Sequence, residues 1–258
     1  MNIIKDIIND YKNFKQVCAI AIGGSTVAET NDKMSDIDLY VFVNDNISVK
    51  EREALVKKYS TKFEVGGEYF GSGDEYMVDK LNLQLDVMFW GKDWFENSIL
   101  NVWEKYYPSN GYTTCFLYTL KNFNIKYDSE NWLKNLQTKL NINYPKQLQE
   151  NIIKRNLMLL KDKPFASYYE QIYKAVLRND ENSINHRISA FMASYFDIIF
   201  AKNELFHPGE KRLVQYAKNN CKYLPENFEE KISKLFNESN EEKLNILNEM
   251  VENLRLIL

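Results

Sequence analysis

The sequence predicts an α+β protein: a small mixed β-sheet core with flanking helices, followed by an all-helical C-terminal domain. Three observations carry this reading. Two apolar runs of strand length, 17–22 and 37–43, lie close together near the N-terminus. A two-residue alternation over 81–90 marks another strand, apolar on one face only. From about residue 132 the apolar residues recur at helical spacing. The expected division is a core over 1–91, an intervening helix and short strand over 92–131, and a helical domain over 132–258 that closes a cleft on the core.

The elements follow in order. Ile3, Ile4, Ile7, Ile8 and Tyr11 form one stripe of an amphipathic helix, and the charges interrupting it do not read as a signal peptide. The first apolar run stops at Gly23-Gly24-Ser25, and the second starts inside Asp36-Ile37-Asp38. Residues 49–59 have helical spacing, with their charges as a solvated face. Phe63-Glu64-Val65 reads as a short strand. Four of the nine glycines, Gly66, Gly67, Gly71 and Gly73, then mark turns around Glu68-Tyr69-Phe70, which suits either a substrate-contacting loop or a plain hairpin connection. Over 81–90, Leu81, Leu83, Leu85, Val87 and Phe89 share one face, and Gln84, Asp86 and Met88 share the other.

Residues 93–107 form an aromatic-rich helix broken at Pro108-Ser109-Asn110-Gly111. The stretch 112–120 fits helix or strand, and 125–128 reads as one more short strand. Helices are expected at 132–140, 147–160, 168–177, 183–205, 210–219, 226–236 and 241–258. Pro145, Pro164, Pro208 and Pro225 stand at or just before helix starts, where proline is tolerated.

The 258 residues are 45% hydrophobic and 27% charged, with no apolar run of membrane-spanning length. A net charge of −3 and no basic tract argue against a sequence-independent grip on a long nucleic acid. Cys18, Cys115 and Cys221 lie far apart, which suits reduced, structural thiols and a cytoplasmic location. With only His186 and His207, a histidine-rich zinc site is not expected.

The chemistry concentrates in 20–43. Asp36 and Asp38 point the same way from one strand, with alpha carbons roughly 6.5 to 7 Å apart. Two carboxylates at the mouth of a buried strand repel each other unless a cation sits between them. Hard oxygen ligands on one edge suit Mg²⁺, which keeps waters and completes its shell from phosphates. Gly23-Gly24-Ser25 offers a close backbone approach, N–H groups and a hydroxyl for phosphate. No Gly-Lys-Ser/Thr follows, so this is not a Walker loop. Either motif alone is a common structural feature; the order strand, Gly-Gly-Ser, Asp-x-Asp strand is the informative one.

That order resembles the polymerase-β-type nucleotidyltransferase superfamily, with Gly23, Gly24, Ser25, Asp36 and Asp38 at the motif positions. The resemblance implies two Mg²⁺ ions and ATP or another nucleoside triphosphate as co-substrate. It also implies a third acid on a later strand, and Asp86, set between Leu85 and Val87, fits that place as catalytic residue and metal ligand.

A second motif, His207-Pro208-Gly209-Glu210-Lys211-Arg212, follows a long apolar helix and would put Lys211 and Arg212 in the first turn of the next one. Positive charge there opposes the helix dipole, a cost an anion would offset. A corner with surface charges is the plain alternative. The segment resembles the helical domain of bacterial nucleotidyltransferase-domain proteins, which are distantly similar to aminoglycoside and lincosamide nucleotidyltransferases. Including both motifs, the resemblance covers most of the chain and is diffuse over 92–147. It implies that Lys211 contacts the triphosphate, while His207 and Glu210 shape the turn. The function so implied is transfer of NMP, AMP from ATP first, to a hydroxyl of a small-molecule acceptor such as an antibiotic, or of a protein. Antitoxin-type transfer and a non-catalytic nucleotide-binding sensor share the same core.

Overall fold

The structure, a computed structural model, describes residues 3–23, 36–69 and 71–258. Its contacts divide the chain into two compact units: Met1–Leu100 with Thr119–Ile142, and Asn101–Tyr118 with Asn143–Leu258.

The first unit is built on a six-stranded mixed sheet. In chain order its elements are α1 (Ile3–Lys12), β1 (Val17–Gly23), β2 (Ile37–Val43), α2 (Val49–Val56), β3 (Phe63–Gly67), β4 (Gly73–Val78), β5 (Leu83–Gly91), α3 (Lys92–Trp103), α4 (Cys115–Lys121), β6 (Asn124–Asp128) and α5 (Trp132–Thr138), with α3 and α4 crossing into the second unit. The strands lie in the order β3-β4-β5-β2-β1-β6. Only β2 and β5 run parallel; the other neighbours are antiparallel.

Strand alternation sends two different sets of side chains to the two faces. One face packs Leu39, Val41, Leu85, Val87 and Tyr76 against Ile7, Ile8 and Tyr11 of α1 and Leu55 and Val56 of α2. Helix α2 starts cleanly because Ser48 and Glu51 form a reciprocal capping box. Its charges are not all solvated, as the sequence had suggested. Arg52 is 4% exposed, and its Nη1 lies 2.8 Å from Asp74 Oδ1 of β4. Asp74 Oδ1 also accepts the Gly66 N–H, so one carboxylate ties α2 to the β3–β4 hairpin. The glycine-rich stretch is thus this hairpin, and Leu81, expected on the inner face, is 46% exposed ahead of β5.

The opposite face is aromatic at one end. Phe42 packs with Phe95 at 5.0 Å and Trp132 at 5.4 Å between ring centres, and Tyr40 packs with Trp90 at 4.7 Å. Because β6 pairs with β1 and α5 follows it, residues 119–142 belong with the sheet. The contact boundaries therefore differ from the expected division at 91 and 131: part of the intervening segment lies in each unit, and α5 joins the first.

The second unit is helical: α6 (Lys146–Leu157), a π-helical turn (Met158–Asp162), α7 (Tyr168–Leu177), α8 (Glu181–Lys202), α9 (Leu213–Asn220), α10 (Phe228–Asn237) and α11 (Asn240–Leu256). Phe191, Tyr195, Ile198 and Ile199 of the long α8 are buried at its centre with Ile172 of α7 and Leu247 and Val251 of α11. Ser167, Asp180 and Ser239 cap α7, α8 and α11 through their side chains. Among the described residues no helix is long and apolar enough to cross a membrane.

Candidate active site

Asp38 begins the site because strand pairing gives it two neighbours. It is the register partner of Gly23 on β1 and of Asp86 on the parallel β5. Neighbouring strands lie about 4.8 Å apart, so the Asp38 and Asp86 backbones stand side by side with their side chains on one face. The row continues: Glu75 of β4 partners Asp86, and Glu64 of β3 partners Glu75. Gly23, Asp38, Asp86, Glu75 and Glu64 thus cross five strands in one line. Asp36, two residues before Asp38, lies exposed at the strand entry.

The register brings Asp38 and Asp86 side by side. Among the described residues, no three His, Cys, Asp or Glu side chains form a group set to hold a metal ion. Gln84 Nε2 donates to Asp86 Oδ1 at 2.9 Å, which turns that carboxylate along its own strand. The donor set nevertheless fits a hard divalent cation: oxygen ligands only, on adjacent strands, of like charge that a cation would relieve. Gly24 and Ser25, expected to receive phosphate, lie outside the described residues, and of that motif the structure describes Gly23 alone.

Gly23 has a second reason to be glycine. A β-carbon there would lie 2.6 Å from Tyr40 Cε2 and 3.3 Å from Phe123 Cε1. Tyr40 is on the same face as Asp38, and its ring packs 4.8 Å from that of Phe123. Burial, and then the nearby Asp38 carboxylate, push its phenol pKa well above the ordinary value. The acid row therefore borders an aromatic wall on one side.

Sequence reasoning missed Glu75. The segment Gly73–Val78 carries two acids and a glycine, a poor strand composition, yet Asp74, Tyr76 and Val78 are buried and Glu75 is exposed. The alternation of Tyr76 and Val78 was the available signal.

In the second unit, α9 begins at Leu213 rather than Glu210, and Arg212 is its left-handed N-cap at φ 53°. Lys211 and Arg212 precede the helix and do not occupy its first turn, with Arg212 standing at its N-cap. The reason is local: Gly209 at φ +103° and Arg212 keep the corner irregular after Pro208. Lys211 is exposed. His207 is fully buried; its N–H donates to Thr114 Oγ1 at 2.8 Å, and its Nδ1 accepts the Gly209 N–H at 3.2 Å. Burial lowers its pKa to about 4.

No sequence signal marks a buried acid here, but Asp197 of α8 is 1% exposed. It accepts from Thr113 N at 3.1 Å, Thr113 Oγ1 at 2.6 Å and Asn156 Nδ2 at 3.1 Å. Burial nonetheless raises its pKa to about 7.

Residues 2–109 match the family model described as "Nucleotidyltransferase domain". Among solved structures, the chain is similar to a nucleotidyltransferase-like protein from Exiguobacterium sibiricum 255-15, with 11% identity and a TM-score of 0.48 over 97% of this chain and 73% of that one. No curated protein matches. Over residues 2–109 the chain is thus similar to the nucleotidyltransferase domain family.

Proposed function

We propose that the protein is a Mg²⁺-dependent nucleotidyltransferase that moves NMP, AMP from ATP in the first instance, to a hydroxyl of a small-molecule acceptor such as an antibiotic, releasing pyrophosphate. The observation that carries this reading is the pairing of Asp38 with Asp86 on adjacent parallel strands. A pure nucleotide-binding module has no need of two acids held side by side.

Asp36, Asp38 and Asp86 would hold magnesium, which when bound would neutralise phosphate charge and favour pyrophosphate as leaving group. Asp86 orients the acceptor hydroxyl and takes its proton as the oxygen bonds to the α-phosphorus and the bond to pyrophosphate breaks. Gln84 restrains Asp86 for that task. The Gly23-Gly24-Ser25 turn receives the β and γ phosphates, and the aromatic wall beside Asp38 keeps water away on one side. A part for Lys211 in binding the triphosphate rests on the sequence resemblance alone.

The test is pyrophosphate release from each of the four nucleoside triphosphates with Mg²⁺, over a panel of hydroxyl-bearing acceptors. Turnover that needs Mg²⁺, an acceptor and Asp86 supports the reading. Nucleotide binding with no release for any acceptor would favour a sensor.

A further inference from the structure

The second unit contains a cleft of about 470 Å³ that uses no residue of the acid row. Three cations line it, Lys154, Arg155 and Lys163, together with Asn110, Met158 and Leu159. We propose that this cleft is a binding site for a small organic phosphate, its charged end on the three cations and its apolar body on Met158 and Leu159.

The cations differ from their neighbours. Lys161 and Arg255 are each tied to acids, Lys161 with Glu252 at 3.6 Å and Arg255 with Asp162, and Lys146 pairs with Glu150. Among the described residues, none of Lys154, Arg155 and Lys163 has a carboxylate partner. Helix α6 runs directly into the π-helical turn, whose C-cap is Lys163, so the welcome a helix end gives to positive charge accounts for that lysine. It does not account for Lys154 and Arg155, which stand before that end on the same concave, partly apolar surface in a chain whose net charge is −3.

Arg155 is already aimed. Its Nε donates to Asn110 Oδ1 at 2.8 Å, which fixes the guanidinium plane and leaves the terminal N–H groups as a fork suited to phosphate.

The cleft is also held in shape before any ligand arrives. Asn151 and Asn156 on α6 donate to the carbonyls of Tyr106 and Ser109, and Gly111 N–H returns a bond to Asn156 Oδ1. Thr113, at the end of that loop, is held by buried Asp197. On the other wall the π-helical turn, where Lys163 N–H reaches back to Met158 O at 3.0 Å, lets Met158 and Leu159 line the cleft while Lys161 turns to α11. Such turns recur at functional sites. The volume suits a ligand of one or two rings with a phosphate.

The probe is 1-naphthyl phosphate, titrated by calorimetry in EDTA so that no metal bridges it to the acid row. Wild type should bind it at least about tenfold more tightly than inorganic phosphate or 1-naphthol, because charge and apolar area act together. Lys154→Glu and the milder Arg155→Gln should each weaken it about tenfold with unchanged melting curves. Asp38→Asn should bind like wild type. Equal affinity in folded Lys154→Glu and Arg155→Gln, loss in Asp38→Asn, or no preference over inorganic phosphate and 1-naphthol would overturn the proposal.

Discussion

Asp38 and Asp86 are direct register partners across the one parallel strand pair of the sheet, so their carboxylates leave the same face from neighbouring backbones. Two such charges repel each other, and a cation between them would relieve the repulsion. The proposed mechanism gives them different tasks, and the variants should differ accordingly. Asp38→Asn should weaken Mg·ATP binding about tenfold or more, while Asp86→Asn should lower kcat far more than it changes the nucleotide KM. Calorimetry with and without Mg²⁺, beside steady-state pyrophosphate release, separates the two. Equal Mg·ATP affinity in Asp38→Asn and wild type would remove the metal assignment, and normal turnover by Asp86→Asn would shift attention along the row to Glu75.

Gly23→Ala tests how closely the aromatic wall approaches the end of β1. The added methyl would meet Tyr40 Cε2 at 2.6 Å. Tyr40 is packed against Trp90 and Phe123 and has little room to retreat, so a cost of about 1 to 3 kcal/mol is expected. Tyr40→Leu in the same chain should return part of the loss. If Gly23→Ala melts like wild type, the contact is not a constraint on this position.

What could be read from the sequence was local, and what could not was pairing at a distance. The alternation of Ile37, Leu39 and Val41 against Asp36 and Asp38 is carried within seven residues, and the structure keeps it. So is the capped helix Tyr168–Leu177, found where its spacing put it. Strand β4 was not legible because its residues are poor strand formers whose place is set by β3 and β5 on either side. Arg52 read as solvated because its partner is 22 residues away on that unrecognised strand. The same holds for the loop 106–114, where the bonds that shape it come from Asn151, Asn156 and Asp197.

The Arg52–Asp74 pair should behave as a unit. Burial pushes the Asp74 carboxyl up despite the pull of Gly66 N–H and Arg52, so the charge depends on its partner. Arg52→Met leaves that carboxylate buried and unpaired, at an expected cost of about 3 to 5 kcal/mol. Arg52→Met with Asp74→Asn keeps an acceptor for Gly66 and removes the orphan charge, so the double variant should be more stable than Arg52→Met alone. Urea titrations of the four proteins decide it; simple additivity would deny the coupling.

Lys211→Ala addresses the part proposed for the helical unit in nucleotide binding. Loss of a charged hydrogen bond to the triphosphate should weaken ATP binding roughly tenfold to a hundredfold. Lys161 would be a poor control, since it bonds Asn248 and pairs with Glu252. Lys146, with a side chain 85% exposed, is the better one. Equal ATP affinity and turnover in Lys211→Ala, Lys146→Ala and wild type would confine nucleotide binding to the N-terminal domain.

Thr113 and Thr114 are consecutive, and they join two buried titrating groups whose pH effects oppose each other. Thr113 binds Asp197, whose pKa is raised to about 7, and the Thr114 hydroxyl accepts from the backbone of His207, whose pKa is lowered to about 4. The neighbouring Cys115 and Tyr144 are both pushed upward by burial and keep their protons in this range. For Asp197 the folded pKa lies above the unfolded value of about 3.9. Its contribution is therefore present below that pH and lost as pH rises toward 7. For His207 the folded pKa lies below the unfolded value of about 6.5, so its contribution is present above that pH and lost as pH falls toward 4. Each slope is at most about 1.4 kcal/mol per pH unit, and over roughly pH 4 to 6.5 they largely cancel. Removing one should expose the other. Relative to wild type, Asp197→Asn should lose stability as pH falls from 6.5 to 4, and His207→Asn should lose it as pH rises from 4 to 7. Chemical denaturation at unit pH intervals measures both, because the ordinary surface carboxylates are common to all three proteins and drop out of the differences. Two variants with the wild-type pH profile would show that neither group changes its proton affinity on folding.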